Sequence, residues 1–560
     1  MGEGALRSNR LFDSQIDLHD RQHFEIAFNY DVSPAATGPD GRAYFKVDAF
    51  YFLPTNLGVS AMSYGKDDFF KDVLSYLRFK TPNLSSHTLA DPLSSLSPLN
   101  ILSFNLKQLV DQPEIDARLE RSSINEAKLL GAILIANWRD LRKQARELGQ
   151  ALGRRPVGSQ SAGELLSDIA NRLEAEHEVL LKYRALRRAY ADNQACLSQQ
   201  LLDALRLVDE YLTYRFDENL AKIHESFLGV EHAALIRFDE RLRWLGMAEA
   251  EYRRDEGFIH LSSDTPDALE LYTYRTGALK KYLAQVLYLN IRTVREVHRF
   301  RGIVAAFGAA LAAFWSTLGD RNVNVRLHGV STSVLILTIV LVYVLKDRIK
   351  EFFKDYLASQ VQRLLPDQRL TIIDPMTQRP IGTCRQTVRY EAKRKLPEDI
   401  RRIRELNHSI DLDEGREEEV LSYRHSVKLE AKTIHATHVR RMHVKHILRY
   451  SVASLLKRLS DPHVKVSRFN ERSGRFEVML APKVYHVNVI FRVTKVGPDG
   501  RPEEPVYHRV RVVLNKDGIE RVEPVVQNKR LWELDHLADG LLPHEPASLH
   551  VTEAEDLSPS

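Results

Sequence analysis

The chain has 560 residues, with 80 Lys and Arg against 75 Asp and Glu and a formal net charge of +5 at pH 7. A hydrophobic fraction of 44% with 28% charged residues excludes an intrinsically disordered chain and indicates roughly two to four folded domains. Two distant cysteines, Cys196 and Cys384, exclude a disulfide framework, and the polar N-terminus leads us to expect no cleavable signal peptide.

The first 113 residues predict an α+β domain. Apolar residues alternate with polar or small ones in 23–32 and 44–52, and a turn with Asp40 and Gly41 lies between these segments. Alternation on both sides of an Asp-Gly turn is typical of a β-hairpin with one buried face. Residues 66–80 follow as a predicted helix, and we find no catalytic motif in this domain.

The region 114–265 predicts long helices with a coiled-coil-like seam. Residues 157–265 contain no proline, and apolar residues recur at three- and four-residue steps through 164–228. Unbroken, this seam would be a helix of roughly 90 Å. Packing of helices within one chain produces the same pattern, so dimerisation through the seam is a hypothesis.

Two uncharged runs of 17 residues, 303–319 and 329–345, flank a short polar link. Seventeen residues is close to the shortest helix that can cross a hydrocarbon core. The tandem arrangement predicts a membrane hairpin within region 266–365, with cytosolic helical extensions on both sides. The expected fold class is therefore an integral membrane protein with a two-helix hairpin, predominantly α-helical, with α+β portions at both ends.

Orientation and packing of this hairpin follow from its flanks and its small residues. Lys and Arg are concentrated outside the link, which predicts a cell-membrane location with both termini in the cytoplasm. One face of the first span carries small residues at helical spacing: Ala305, Gly308, Ala309, Ala312 and Ala313. Such a face lets another helix approach closely, either the second span or a second subunit of a homo-oligomer.

Region 366–542 predicts a second α+β domain. Short alternating segments separated by turns indicate strands at 421–430, 475–480, 484–493 and 506–514, and helices are expected near 395–408 and 437–459. The remaining residues 543–560 are acidic and contain Pro and Ser, which predicts a disordered tail.

The predicted helix near 437–459 begins with the most suggestive side-chain cluster. Its four histidines are His435, His438, His443 and His446. On one helix they would lie within a sector of about 140°, and neighbouring histidines can bind zinc or a similar metal. The spacing matches no established metal motif, so a cationic helix face is the favoured alternative, and no cofactor is required by any motif.

The same segment is the most basic part of the chain. Residues 431–468 contain nine Lys or Arg and the single acid Asp461. The residues that we expect to bind an anion are Arg440, Arg441, Lys445, Arg449, Lys457 and Arg458. An anionic lipid or an acidic protein is the favoured partner at a bilayer, and nucleic acid is less favoured because base-stacking aromatics are sparse here.

These observations predict a membrane-anchored, cytosol-facing scaffold or assembly protein, oligomeric and non-enzymatic. One alternative is a membrane-associated enzyme or ligand sensor that uses the basic, His-rich segment. The other is a channel-forming or membrane-disrupting oligomer built on the small-residue face. The biological process and any substrate are left open by the sequence.

Overall fold

The computed structural model describes residues 16–111, 115–154, 159–230, 232–259, 265–294, 366–406 and 417–531, with residue 261 and scattered positions from 306 to 352. The chain divides into two compact units. We call residues 1–77 and 289–554 the sheet unit, and residues 78–288 the helical unit. The helical unit is thus an insertion in the chain of the sheet unit.

The sheet unit contains two large antiparallel sheets and a small hairpin. Its strands are β1 (Asp17–Asp20), β2 (His23–Asp31), β3 (Ala43–Pro54), β4 (Val73–Phe79), β5 (Asn290–Val294), β6 (Gln368–Ile373), β7 (Pro380–Glu391), β8 (Glu418–Leu429), β9 (His443–Ser451), β10 (His463–Asn470), β11 (Arg475–Pro482), β12 (Tyr485–Lys495), β13 (Val506–Asn515) and β14 (Gly518–Lys529). The strand orders are β14-β13-β12-β3-β8-β7-β6-β5, β1-β2-β9-β4 and β10-β11.

The two large sheets pack face to face around an aromatic core. Phe28 and Tyr30 of β2 reach across to the long sheet, where their rings lie 6.1 Å from Phe491 and 4.3 Å from Phe45. The alternating burial of β2 follows directly from its alternating sequence, because successive side chains of a strand point to opposite faces. We call the face of the long sheet that contacts β2 its inner face.

The alternating sequence of the two N-terminal segments correctly predicted two strands, but the predicted pairing of these strands with each other was wrong. Strands were expected at 23–32 and 44–52, and the structure contains β2 and β3 there. They do not form a hairpin with each other: β2 pairs with β9, whereas β3 pairs with β8 and β12. The connection between them leads from one sheet to the other, and their apolar faces meet across the core.

The outer face of the long sheet is the face that points away from β2. It is covered at one end by a short helix, Glu398–Glu405. Ile400 and Ile403 of this helix pack on Phe50, Phe52 and neighbouring apolar side chains. The other end of the outer face, on β3, β8, β7, β6 and β5, carries polar side chains instead.

One glycine in the sheet is fixed by close backbone approach. A Cβ added at Gly382 would lie 2.6 Å from the carbonyl oxygen of Lys428 on the neighbouring strand and 2.8 Å from Leu429. Any side chain at this position would therefore push β7 away from β8.

The helices, numbered through the whole chain, fall mainly in the helical unit. In the sheet unit they are α1 (Lys66–Asp72), α9 (Glu398–Glu405), α10 (Ala431–Thr437) and α11 (Ala453–Leu456). In the helical unit they are α2 (Ser86–Ala90), α3 (Pro98–Asp111), α4 (Ala117–Arg154), α5 (Ser159–Asp192), α6 (Gln199–Glu225), α7 (Ala234–Asp255) and α8 (Pro266–Ala284).

The long seam predicted at 164–228 is split between two packed helices. α5 ends at Asp192, and α6 begins after Ser198, whose hydroxyl accepts a hydrogen bond from the backbone N–H of Leu201. Glu120 on α4 holds this cap by accepting hydrogen bonds of 2.7 Å from both the backbone N–H and the hydroxyl of Ser198. The seam therefore forms the core of a helix bundle within one chain, the alternative that the sequence had left open.

The helical unit also buries a network of charges. Arg184 of α5 donates two hydrogen bonds, of 2.7 and 2.8 Å, to Glu249 of α7 and a third, of 3.1 Å, to Asp209 of α6. His177 and Thr213 also bond to Glu249, at 3.0 and 2.6 Å. Because this one carboxylate receives donors from α5 and α6, it fixes how three helices pack together.

The prediction of an integral membrane protein with a two-helix hairpin is contradicted. Among the described residues, no helix is long and apolar enough to cross a membrane. The observed fold is an α+β arrangement with large antiparallel sheets. The membrane-anchored scaffold, the cell-membrane location and the membrane orientation are therefore corrected as well. A 17-residue apolar run is too near the lower length limit to distinguish a membrane span from another helix.

Region 266–365 departs from its predicted helical extension at the N-terminal end. A helical extension leading into the first run was expected, but α8 ends at Ala284 and the chain then forms β5. The runs 303–319 and 329–345 fall mostly outside the described residues. Ala305, Gly308, Ala309 and Ala312 are among those not described, and Ala313 is described as an exposed helical residue.

Three other sequence predictions were altered by the tertiary structure. The segment 66–80 is α1 followed directly by β4. The helix expected near 437–459 is replaced by β9 and the short α11. The two α+β ends, predicted as domains 1–113 and 366–542, contribute strands to one sheet, because β3 lies between β8 and β12. The disordered tail 543–560 lies outside the described residues.

The two cysteines should differ sharply in reactivity. Cys196 is exposed in the helical unit, whereas Cys384 on β7 is fully buried and its burial raises the pKa of the thiol to about 12. We expect a thiol reagent at neutral pH to modify one cysteine in the native protein and two after denaturation. Rapid modification of both in the native protein would contradict the burial of β7, and Cys196→Ser should abolish the native reaction.

Candidate functional site

The polar end of the outer face is the most unusual surface of the sheet unit. Five adjacent strands, β3, β8, β7, β6 and β5, direct cations and hydroxyl groups to it. The cations are Lys46, Arg292, Arg369, Arg385, Arg389, Arg424 and Lys428, and the hydroxyl residues between them include Thr371, Thr383, Thr387 and Ser426. We call this surface the basic face.

Strand register places these side chains in rows. In one row Arg369, Arg385, Ser426 and Lys46 lie directly opposite one another on β6, β7, β8 and β3. Adjacent strands are about 4.8 Å apart, so five strands spread the charges over about 19 Å. Such a width exceeds the site needed by a single small anion.

A second row holds the one carboxylate at the centre of this surface. Asp48 is 2% exposed and receives a hydrogen bond of 2.7 Å from Arg424 and one of 2.8 Å from Arg492. Lys46 lies 3.4 Å from the same carboxylate. Burial opposes ionisation of Asp48, but the bond from Arg492 and the charges of Arg424 and Lys46 outweigh it and hold its pKa below the ordinary value.

Asp48 thus orders the cations without cancelling them. Arg492 also contacts Asp399 of α9 at 3.0 Å, which ties the basic face to the apolar end of the sheet. Lys46 and Arg424 remain 45% and 48% exposed. Arg385 and Arg292 are exposed and have no acidic partner within 4 Å in the part of the chain that the structure describes. Positive charge is therefore available to an external anion.

The sheet interior contains a second polar cluster, between β2, β8, β9 and β4. The Tyr30 hydroxyl lies 3.0 Å from Nδ1 of His446 and 3.4 Å from Nε2 of His425. Ser75 contacts Nε2 of His446 at 2.7 Å. This arrangement has the spacing of a nucleophile and a base.

The electrostatics of this cluster oppose catalysis. Both histidines are fully buried, which lowers the pKa of His425 to about 3 and that of His446 well below its ordinary value. A histidine held neutral so strongly is a poor acceptor for the proton of Ser75. The cluster instead satisfies buried polar groups and fixes the register between the two sheets.

A small apolar cavity of about 40 Å³ opens at one end of this core. Tyr51, Phe69 and Tyr450 contribute to its wall, and Asp72 lies at its edge. The Asp72 carboxylate already accepts hydrogen bonds from Tyr64 at 2.7 Å and from Ser454 at 2.9 Å. Because its charged group is satisfied by the protein itself, the cavity has little means of orienting a polar ligand.

The four histidines predicted to bind a metal do not share a helix. α10 ends at Thr437, so only His435 is helical, and His443 and His446 lie on β9. Each histidine has its own neighbour: His435 contacts the carbonyl of Val32, His438 pairs with Asp374, His443 lies near Asp31, and His446 joins the interior cluster. No group of three or more potential metal ligands is assembled among the described residues. The metal site stays an untested prediction, and the shared helix on which it was based is not formed.

The six cations predicted to bind an anion also lie in different environments. Arg441 and Arg449 are buried, and Arg449 is paired with Glu25. Arg458 donates hydrogen bonds to the carbonyls of Gly58 and Ser63. Arg440 and Lys445 are half buried, and Lys457 is exposed. An anionic lipid or acidic protein bound by these six residues stays an untested prediction.

Sequence reasoning missed the basic face, although its signal was present. Arg424 and Lys428 fall on the polar side of the strand predicted at 421–430, and 383–390 shows the same alternation with Arg385 and Arg389. No run of cations marks the site, because alternation spaces them along each strand and strands from distant segments bring them together.

Comparison with known proteins gives no family for this chain: no family model, no curated protein and no solved structure matches it. The fold and the site by themselves define an α+β protein with a face-to-face pair of antiparallel sheets, an inserted helical unit and an open basic sheet face.

Proposed function

We propose that this protein binds nucleic acid through the basic face, by contacts with the phosphate backbone that do not depend on sequence. The observation that carries this proposal is the arrangement of cations over five adjacent strands of one open sheet face. Neutralising phosphates with Lys and Arg releases condensed counterions, and this supplies most of the affinity in non-specific binding.

The side-chain chemistry favours phosphate over other anions. Arginine predominates, and its planar guanidinium can donate two parallel hydrogen bonds to one phosphate. Threonine and serine hydroxyls lie between the arginines, and hydroxyls are regular donors to phosphate oxygens in protein–nucleic acid complexes. The spread of about 19 Å fits an extended polyanion better than an isolated phosphate group.

Charge reversal on this face tests the proposal. We expect Arg385→Glu to weaken binding of a labelled oligonucleotide of about 25 nucleotides by tenfold or more and to reduce the slope of log affinity against log salt by about one to two. Fluorescence anisotropy over about 50–300 mM salt measures both quantities. Arg501→Glu, an exposed residue in the turn between β12 and β13, makes the same change in net charge and serves as the control.

Two results would overturn the proposal. One is equal weakening by Arg385→Glu and Arg501→Glu, which would mean that net charge and not the basic face governs binding. The other is tight binding of polyglutamate with none of RNA or DNA, which would assign the face to an acidic protein.

A further inference from the structure

The hairpin β10–β11 projects from the sheet unit as an arm. Its strands pair with each other from His463↔Pro482 to Asn470↔Arg475, and in the described chain they belong to neither large sheet. Nearly all of its residues are exposed. A two-stranded hairpin alone is marginally stable in water, so a sequence that forms one away from the body of the fold points to a bound partner.

Apolar side chains are exposed on both faces of the arm, and its two aromatic ones share one face. Phe469 and Phe476 lie opposite each other with ring centroids 5.2 Å apart, next to the tight turn that includes Gly474 at φ +63°. Phe476 is 83% exposed, and Val478 and Leu480 on the same face are each 65% exposed. Val464, Val466 and Met479 are exposed on the opposite face, so apolar surface extends over the whole arm and marks it as an interaction surface.

The charge of the arm indicates the chemistry of that partner. Residues 463–482 contain Lys465, Arg468, Arg472 and Arg475 against Glu471 and Glu477, a net charge of +2 with neutral histidine. A second copy of the arm would bring like charges together. An anionic partner that also offers flat apolar surfaces satisfies both features, and nucleic acid is such a partner, because every base has a π face.

We infer that the arm is a second nucleic-acid contact, in which the Phe469–Phe476 pair stacks on or wedges between bases while the arm's arginines contact the flanking phosphates. The inference rests on the proposed function, since the basic face supplies the electrostatic attraction. Aromatic side chains stack on exposed bases in single strands, and apolar wedges on basic ribbons enter the grooves of duplexes.

The two contacts have different experimental signatures. Stacking makes no ion pair, so the double variant Phe469→Ser/Phe476→Ser should weaken binding of a single-stranded oligonucleotide about tenfold without changing the salt slope. Val466→Ser, at an exposed apolar position on the face of the arm opposite the phenylalanines, is the matched control and should have little effect. The arm lies outside the core, so thermal unfolding of all three proteins should be unchanged.

A direct readout comes from the Phe476→Trp variant. Stacking on a base should quench the fluorescence of the introduced indole in proportion to saturation, and addition of polyglutamate should not. Quenching together with the unchanged salt slope would support the arm as a base-contacting element.

The remaining outcomes separate the two proposals. If Arg385→Glu weakens binding while the double phenylalanine variant does not, the inference that the arm contacts bases is wrong and the proposed function of the basic face is supported. If only the double variant weakens binding, the proposed function of the basic face fails. If the double variant changes the native mass in solution, the arm is an interface between copies of this chain and the inference is wrong.

Discussion

Glu249→Ala is expected to lower the free energy of unfolding of the helical unit by about 3–5 kcal/mol. Glu249 is fully buried and accepts hydrogen bonds from Arg184, His177 and Thr213. Its removal leaves the guanidinium of Arg184, itself 3% exposed, with Asp209 as its acidic partner and the ring of Tyr252 beside it. A buried charge that has lost its principal partner destabilises a fold far more than the loss of a surface ion pair.

Urea unfolding followed by circular dichroism at the helical minimum measures this change. Glu251→Ala, an exposed glutamate on the same helix, is the control and should change stability by less than about 0.5 kcal/mol. A loss of similar size in both variants would indicate that helix propensity and not the buried network is responsible.

Lowering the pH should remove most of the difference in unfolding free energy between the wild type and Glu249→Ala. Burial opposes ionisation of Glu249, but the hydrogen bonds from Arg184 and His177 hold its pKa at about 2, below the ordinary value of 4.5. A carboxylate whose pKa is depressed on folding stabilises the native state above the unfolded pKa. This stabilisation, on the order of 3 kcal/mol, is lost as the pH falls from about 4.5 to about 2. A difference between the two proteins that stayed constant down to pH 2 would contradict this assignment.

Asp48→Asn should change stability and binding in opposite directions. Removing the carboxylate takes a shared partner from Arg424, Arg492 and Lys46, so we expect the sheet unit to lose about 3 kcal/mol. This value lies at the lower end of the usual range, because Arg424 and Lys46 stay half exposed and Arg492 keeps Asp399. The same change adds one positive charge to the basic face.

Binding of the labelled oligonucleotide should therefore tighten by several-fold in Asp48→Asn, with a salt slope steeper by up to about one. Asp517→Asn, an exposed aspartate in the turn between β13 and β14, makes the same chemical change away from the face and should alter neither quantity. If Asp48→Asn weakened binding instead, the carboxylate would be acting by orienting Arg424 rather than by offsetting its charge. That result would count against a purely electrostatic basic face.

The sequence predicted local structure well where one period was strong. Alternation in 475–480, 484–493 and 506–514 correctly predicted β11, β12 and β13, because successive side chains of a strand point to opposite faces. The three- and four-residue steps across 164–228 likewise predicted the helices α5 and α6. Each of these signals is local to one segment of chain.

The local periodicity of the sequence does not indicate which distant strands pair with each other. Strands β3 and β8 are adjacent although more than 360 residues of chain separate the paired Tyr51 and Leu421, and no turn residue marks such a neighbour. The spacing of the four histidines suits one face of a helix, and this predicted a helix for the segment. Residues 443–451 instead form strand β9, because their backbone pairs with β2. The apolar runs at 303–319 and 329–345 show the same limit, since apolar length alone does not say what surrounds a helix.

The sequence by itself therefore determined which segments are strands and helices and which side of each strand is polar. It did so because burial of one face dictates a period of two or 3.6 residues. Only the tertiary structure decided that β3, β8, β7, β6 and β5 lie side by side and gather Arg292, Arg385 and Lys46 on one open face. Their charges lie far apart along the chain, and only the register of antiparallel pairs brings them within reach of one ligand.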